Sequence, residues 1–513
     1  MSSHTALVYP RQAPISRPGV RALLLGAGVA IVGTAVLTGL ALELSPIPAG
    51  LGVIGVLIVI GMFASPDFAV LVLCASLPFE RIGRLTDDAD PVAISASRIL
   101  GVLALVSLML HMALRREKPK FGVPFWLYAG YTGVSLVGNA WAWSPEETYR
   151  ESFHVLGNLL FFFQIVNAVR TYAFAKTVIL VWLLASVAAG AFSVSDYYLS
   201  SRASMVTSQE MGLTSERRAT VLDDGAESRA LGTNVKRLFG PTAHPTLFGL
   251  NMLMTVPFLL WIQRTARGWL HILWPAGLVV AGFSIILSNT RAVLLLAGAT
   301  VVMCFWRRLW RPSLQSAAAL LLIVLSVTPF IPEDVYRRTF DPALYTLTGA
   351  DGLRVRLKFW GKSWEIIQQT WWHGIGVGNQ TAIVDMITDE TTGNLTPEGH
   401  RASAHNEYIW VMAESGLVGY LFFWGFVGFV TAAGFRAAAR FRQLPDARDE
   451  YVFSLACQVL TMGCLLFAVQ SESFHYPLKG WWLTAALGVV MLDLARARFA
   501  DRETAPRPAA VRI

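Results

Sequence analysis

Charge is scarce in this chain. Asp, Glu, Lys and Arg make up only 15% of its 513 residues, while 54% are hydrophobic. A soluble domain carries about 25% charged residues, so the shortage excludes an ordinary soluble enzyme. Cysteine is scarce as well. Cys74, Cys304, Cys457 and Cys464 all fall inside apolar stretches, and no disulfide framework is visible. Nucleotide chemistry lacks its motifs: no phosphate-binding Gly-rich loop is followed by Lys. Asp88-Ala89-Asp90 sits alone in a short acidic loop and reads as solvated. No Cys/His zinc spacing and no Gly-x-Ser-x-Gly elbow occurs. The sequence therefore predicts no metal and no cofactor.

What the chain has is apolar length. A membrane-spanning helix needs about 20 mostly apolar residues, somewhat fewer at the margin. Such stretches run near 22–42, 47–64, 68–80, 95–114, 122–142, 154–169, 177–195, 245–262, 269–288, 291–306, 315–332, 414–434, 451–470 and 481–495. They predict an all-α, polytopic membrane bundle of about fourteen spans. The first follows basic residues and reads as a span rather than a cleaved leader. The expected organisation is N-terminal spans over 1–195, a first outer loop over 196–244, and central spans over 245–332. A large, partly helical outer loop follows over 333–413, then C-terminal spans over 414–495 and a tail over 496–513.

Charge gives the orientation. The net charge of +8 would raise the question of nucleic acid in a soluble protein. Here Arg115, Arg116, Lys118, Lys120, Arg170, Lys176, Arg264, Arg307, Arg308, Arg436, Arg440 and Arg442 fall in alternate short loops. That pattern is the positive-inside rule. It predicts both termini in the cytoplasm, a bilayer as partner, and no nucleic acid.

The large outer loop has internal order. Leu353, Leu357, Trp360, Trp364, Ile367 and Trp371 recur at helical spacing, and Gly374, Gly376 and Gly378 then provide a stop and a tight turn. The spacing predicts an amphipathic helix over 353–371. It could lie at the membrane surface, where tryptophan is favoured, or pack on the loop itself.

Several cations converge on the predicted outer face. Arg291 stands between two spans in Leu287-Ser288-Asn289-Thr290-Arg291, where a cation is costly unless paired or wetted. A snorkelling role is the alternative, but this end faces outward, where arginine is disfavoured. Arg237, in Arg237-Leu238-Phe239-Gly240-Pro241, is either a site residue or a solvated loop cation. His244 reads better as a cap before Pro245. Arg98 opens the fourth span, as part of the cationic cluster or of a structural ion pair. His405, in Ala404-His405-Asn406-Glu407-Tyr408, is either a proton carrier or an interfacial histidine bonded to backbone. Arginine forks in a low-dielectric cleft suit a diphosphate.

Between about Arg237 and Trp482 the chain resembles the bacterial O-antigen polymerase and ligase family of membrane glycosyltransferases. The resemblance rests on Arg237-x-x-Gly240, the Ser-Asn-Thr-Arg291 turn, Arg356-x-x-x-Trp360 leading to Gly374-Ile375-Gly376-Val377-Gly378, and Ala404-His405-Asn406-Glu407-Tyr408 leading to Glu414-Ser415-Gly416-Leu417-Val418-Gly419. The chain departs from the family in having Trp372-His373 where a Pro is frequent before the glycine turn. The resemblance implies a polyprenyl-diphosphate-linked glycan donor and a glycan acceptor at the periplasmic face of a bacterial inner membrane. It implies Arg237 and Arg291 on the donor diphosphate, support from Arg356 and Arg98, and His405 orienting or deprotonating the acceptor. It implies metal-independent, inverting transfer, and a flippase and chain-length regulator as partners. A polymerase of lipid-linked repeat units is expected first, a ligase of finished glycan second. A flippase or transporter is disfavoured, because its charges would sit near the bilayer midplane.

Overall fold

The structure is a computed structural model. It describes residues 46–79, 95–199, 221–223, 236–242, 245–310 (without 266, 267 and 269), 328–336 (without 334), 342–380, 383, 406–471 and 478–504. Among these the helices are α1 (Pro46–Ala64), α2 (Pro66–Ser76), α3 (Ala96–Arg115), α4 (Val123–Val137), α5 (Pro145–Ala168) and α6 (Tyr172–Leu199). They continue as α7 (Pro245–Thr265), α8 (Leu270–Leu287), α9 (Arg291–Trp306), α10 (Pro342–Thr370), α11 (Glu407–Phe441), α12 (Arg448–Ala468) and α13 (Lys479–Thr504). A short antiparallel ribbon pairs β1 (Val221–Asp223) with β2 (Lys236–Leu238), Leu222 opposite Arg237.

The all-helical, multi-pass architecture holds, but the count of about fourteen spans does not. Among the described residues, six helices are long and apolar enough to cross a membrane: α3, α6, α7, α8, α11 and α12. Shorter apolar segments are Pro66–Phe79, Arg291–Trp306 and, within α1, Ile54–Ala64. Counting every apolar stretch as a span fails for local reasons. The stretch 122–142 is cut by a 3-10 turn at Gly138–Ala140, leaving 15 residues in α4. Helix α5 spends its first turns on Glu146, Glu147, Arg150 and Glu151. Helix α13 ends in a run of Arg and Asp. The expected spans 22–42 and, for the most part, 315–332 lie outside the described residues.

Local chemistry sets the helix ends. Ser65 caps α2 and Ser95 caps α3, each hydroxyl accepting a backbone N–H three residues on. Pro145 opens α5 in the first turn, where its missing N–H costs nothing. Asn406 caps α11, its side chain accepting from the N–H groups of Tyr408 and Ile409.

Packing then sorts the helices. Along α12 and the middle of α13 nearly every residue from Val452 to Cys464 and from Trp481 to Leu492 is buried. An aromatic seam joins α4, α11 and α13: Tyr128 meets Trp482 edge-on with ring centroids 4.6 Å apart, and Phe426 stacks on Trp482 at 5.3 Å. The peripheral helices do the reverse. Helix α3 exposes Ile99, Val102, Val106 and Met109, and α9 exposes Leu295, Val302 and Phe305. Apolar faces turned outward on a packed bundle suit lipid as the surrounding solvent.

The two ends of the bundle differ. At one end, basic residues are tied down by acids and amides. Lys176 pairs with Asp449 at 3.4 Å, Arg498 with Glu450 at 2.9 Å, and Arg170 with Glu117. The other end gathers the starts of α3, α5, α7, α9 and α11, and there the candidate site lies.

Candidate functional site

The first cluster is built on the turn between α8 and α9. Ser288 folds back on the end of α8, Asn289 adopts a left-handed conformation (φ 49°), and Thr290 leads into Arg291, the first residue of α9. Arg237, at the centre of β2, clasps this turn. Its Nε donates to the Ser288 carbonyl at 3.3 Å and its Nη2 to Thr290 Oγ1 at 3.2 Å. Thr246, in the first turn of α7, reaches Thr290 Oγ1 at 3.5 Å. Residues 54 positions apart, Arg237 and Arg291, are thereby brought to one turn. Gly240, at φ 52°, leaves space that the Phe248 ring occupies, so β2 can press onto α7.

Asn289 is the anomaly of this turn. It is buried, and neither its Nδ2 nor its Oδ1 has a hydrogen-bond partner. A buried carboxamide without protein partners is rare.

The second cluster is a backbone junction. Gly374, Gly376 and Gly378 all have positive φ (72°, 94° and 92°). The turn they form fits between the start of α5 and a break in α11 at Gly416 (φ 61°, ψ −172°). Ile375 N–H donates to the Ala413 carbonyl at 3.0 Å and Gly376 N–H to the Glu414 carbonyl at 2.9 Å. Glu414 is fully buried, and its Oε1 accepts the Gln380 N–H at 3.0 Å. On the α5 side, Trp143 N–H donates to the Ile375 carbonyl at 3.1 Å, and Ser144 N–H to Asn379 Oδ1 at 2.6 Å. A Cβ on Gly374 would strike the Glu414 carbonyl, and one on Gly416 the backbone of Trp372 and His373.

The third cluster adjoins this turn. Arg98 Nη2 lies 2.7 Å from His154 Nε2, and His154 Nδ1 lies 2.9 Å from Glu151 Oε2. Arginine only donates, so Nε2 accepts and the Nδ1 proton points to Glu151. A Cβ on Gly378 would meet Glu151 Cγ at 2.9 Å, which places the pair beside the glycine turn.

The sequence-predicted residues thus fall into separate places. Arg237 and Arg291 meet at one turn, and Arg98 belongs to the His154 pair. Arg356 sits half-buried on α10. His405 and His244 lie outside the described residues. The helix expected over 353–371 falls in α10 except for Trp371, which lies in the turn after it, and the segment uses two faces. Phe359, Ser363, Ile366 and Ile367 are buried, with Ile366 and Ile367 in one apolar cluster with Ile375 and Ala413. Leu357, Trp364 and Trp371 are exposed. Sequence reasoning missed Glu151 and His154, although their spacing of three before an apolar run was a visible signal. It quoted Asn289 without assigning it a role. Among the described residues no three His, Cys, Asp or Glu side chains converge as a metal would require.

Outward apolar faces and six helices long and apolar enough to span define a multi-pass membrane protein. Residues 276–424 match the family model described as O-antigen ligase. This matched stretch, under a third of the chain, is similar to the O-antigen ligase family, and the match supports glycan transfer at a lipid-linked carrier. The match takes in the Arg291 turn, Arg356, the glycine turn and His405, and leaves Arg237 outside. No curated protein matches the chain.

Proposed function

We propose that the protein is a ligase-type membrane glycosyltransferase, moving a glycan from a polyprenyl diphosphate to an acceptor hydroxyl at the outer face. The observation that carries this reading is the Arg237 fork fixed on the turn that ends in Arg291. Arg237 and Arg291, brought to one turn, would match a diphosphate in charge, and a guanidinium fork matches it in geometry. In the reaction the bond from the anomeric carbon to the diphosphate oxygen breaks, and the acceptor oxygen bonds to the opposite face of that carbon. The configuration inverts. The leaving polyprenyl diphosphate gains one negative charge, which Arg237 and Arg291 stabilise as it develops. Arg98 and Arg356 carry a supporting share. The acceptor proton passes to His405. No metal is assigned a part. The exposed Trp364 on α10, with Trp371 and Trp372 in the turn after it, suits a helix resting at the membrane interface beside the glycan.

Ligation is placed ahead of polymerisation because the matching family is described as a ligase. The test is the lipid-linked glycan profile of cells carrying His405→Ala, at matched protein level. Long chains stranded on the carrier are expected. Single repeat units on the carrier would instead mean a polymerase. An unchanged profile would remove His405 from the mechanism.

A further inference from the structure

The opposite, basic end of the bundle holds a cavity that glycan transfer does not use. It lies where α4 begins, between α5, α11 and α13, and encloses about 400 Å³. Its lining is divided. Phe121, Phe125 and Phe163 form an aromatic wall, Phe121 stacked on Phe163 with centroids 5.5 Å apart. Lys120, Asp493 and Arg496 form a charged rim. Lys120 is anchored through its backbone: its N–H donates to Asn167 Oδ1 at 2.7 Å, and its carbonyl accepts from Asn167 Nδ2 at 3.3 Å. Arg496 Nη1 stands 3.4 Å from Asp493 Oδ1. Two cations and one carboxylate leave the rim with a net charge of +1.

We propose that this cavity binds an anionic phospholipid from the leaflet at the basic end, taking one phosphodiester headgroup between Lys120 and Arg496. Three features select a lipid over a free anion. Phe121, Val123 and Trp126 are exposed beside the cavity, where an acyl chain would cover them. Exposed aromatic residues next to Lys118 and Lys120 mark the depth of the headgroups. A phenylalanine wall offers nothing to a small hydrated anion. Asp493 narrows the headgroup further. Its carboxylate accepts hydrogen bonds and repels a second negative charge, so a singly charged phosphodiester bearing hydroxyl groups, such as phosphatidylglycerol, fits best. Basic pockets between spans at the cytoplasmic side bind anionic headgroups elsewhere.

The test is native mass spectrometry of the full chain in micelles, titrated with phosphatidylglycerol or phosphatidylcholine. Phosphatidylglycerol should be retained in preference. Lys120→Gln and Arg496→Gln should each weaken its retention about fivefold. Asp493→Asn, which removes the opposing charge, should strengthen it, a gain that mere structural damage would not produce. Equal retention of the two lipids would overturn the proposal, as would unchanged retention in both cation variants. Displacement of the lipid by millimolar inorganic phosphate would also overturn it, in favour of a free-anion site.

Discussion

Gly416→Ala is the substitution most directly determined by the geometry. Gly416 has φ 61° and ψ −172°, a region of backbone space that is essentially closed to any residue with a Cβ. Forcing alanine there costs about 1–3 kcal/mol in backbone strain alone. The new methyl would also run into the main chain of Trp372 and His373, which is rigid and cannot rotate aside. Overpacking of this kind adds roughly 1–3 kcal/mol. The sum, about 2–6 kcal/mol, is large against the marginal stability of most folds. The same helix supplies the control. Gly428 has nothing within 4 Å of its virtual Cβ, so Gly428→Ala should be neutral or gain about 0.5–1 kcal/mol. Purified variants in one detergent, unfolded thermally and by denaturant, should show a clear loss for Gly416→Ala and none for Gly428→Ala. Equal behaviour of the two would refute the interlocked junction.

Three further outcomes follow from the site and the basic end. Arg237→Lys keeps the charge but cannot span both the Ser288 carbonyl and Thr290 Oγ1, so transfer measured with purified lipid-linked donor should fall roughly tenfold to a hundredfold; full activity would show that charge alone suffices. Asn289→Gly relieves a left-handed backbone worth about 1–2 kcal/mol and removes a carboxamide without partners. Its thermal stability should hold or rise while transfer drops, and a fall in stability would mean that the carboxamide serves the fold. Asp449→Asn weakens the contact with Lys176 at 3.4 Å and keeps a partner for Trp261 Nε1 at 2.9 Å. At this half-exposed site the loss of stability should be no more than about 1 kcal/mol, read by thermal unfolding, with donor turnover unchanged.

The amount legible in the sequence differed by feature. Membrane class followed from composition, because scarce charge and recurrent apolar stretches leave few alternatives. Span number did not follow. Hydropathy cannot see that Gly138–Ala140 ends α4 early, or that the helix carrying the apolar stretch 154–169 already begins at Pro145. The helix over 353–371 was visible in its spacing, but its packed face was not. The periodic set included Leu357, Trp364 and Trp371, which are exposed, while Phe359 and Ile366 are buried. An amphipathic stripe identifies the solvent-avoiding face only when water is the solvent on the other side. At the site, the turn carrying Arg291 could be found because a cation there breaks an apolar run. The His154–Glu151 pair escaped because its partner Arg98 lies 56 positions away, a proximity that only tertiary folding supplies.

The junction at the glycine turn also fixes an order of events during synthesis. Ser144 donates to a side chain 235 positions further along the chain, and the break that receives Gly374 lies later still. At about 5–20 residues per second, a ribosome needs roughly 12–47 s to travel from Ser144 to Asn379. Through that interval the leading helices sit in the bilayer with the edge at Trp143 and Ser144 unmatched. This end of the molecule therefore cannot be sealed until α11 has been made. A chain stopped short of α11 would hold most of its apolar helices in lipid and still lack the clasp that closes them into one body.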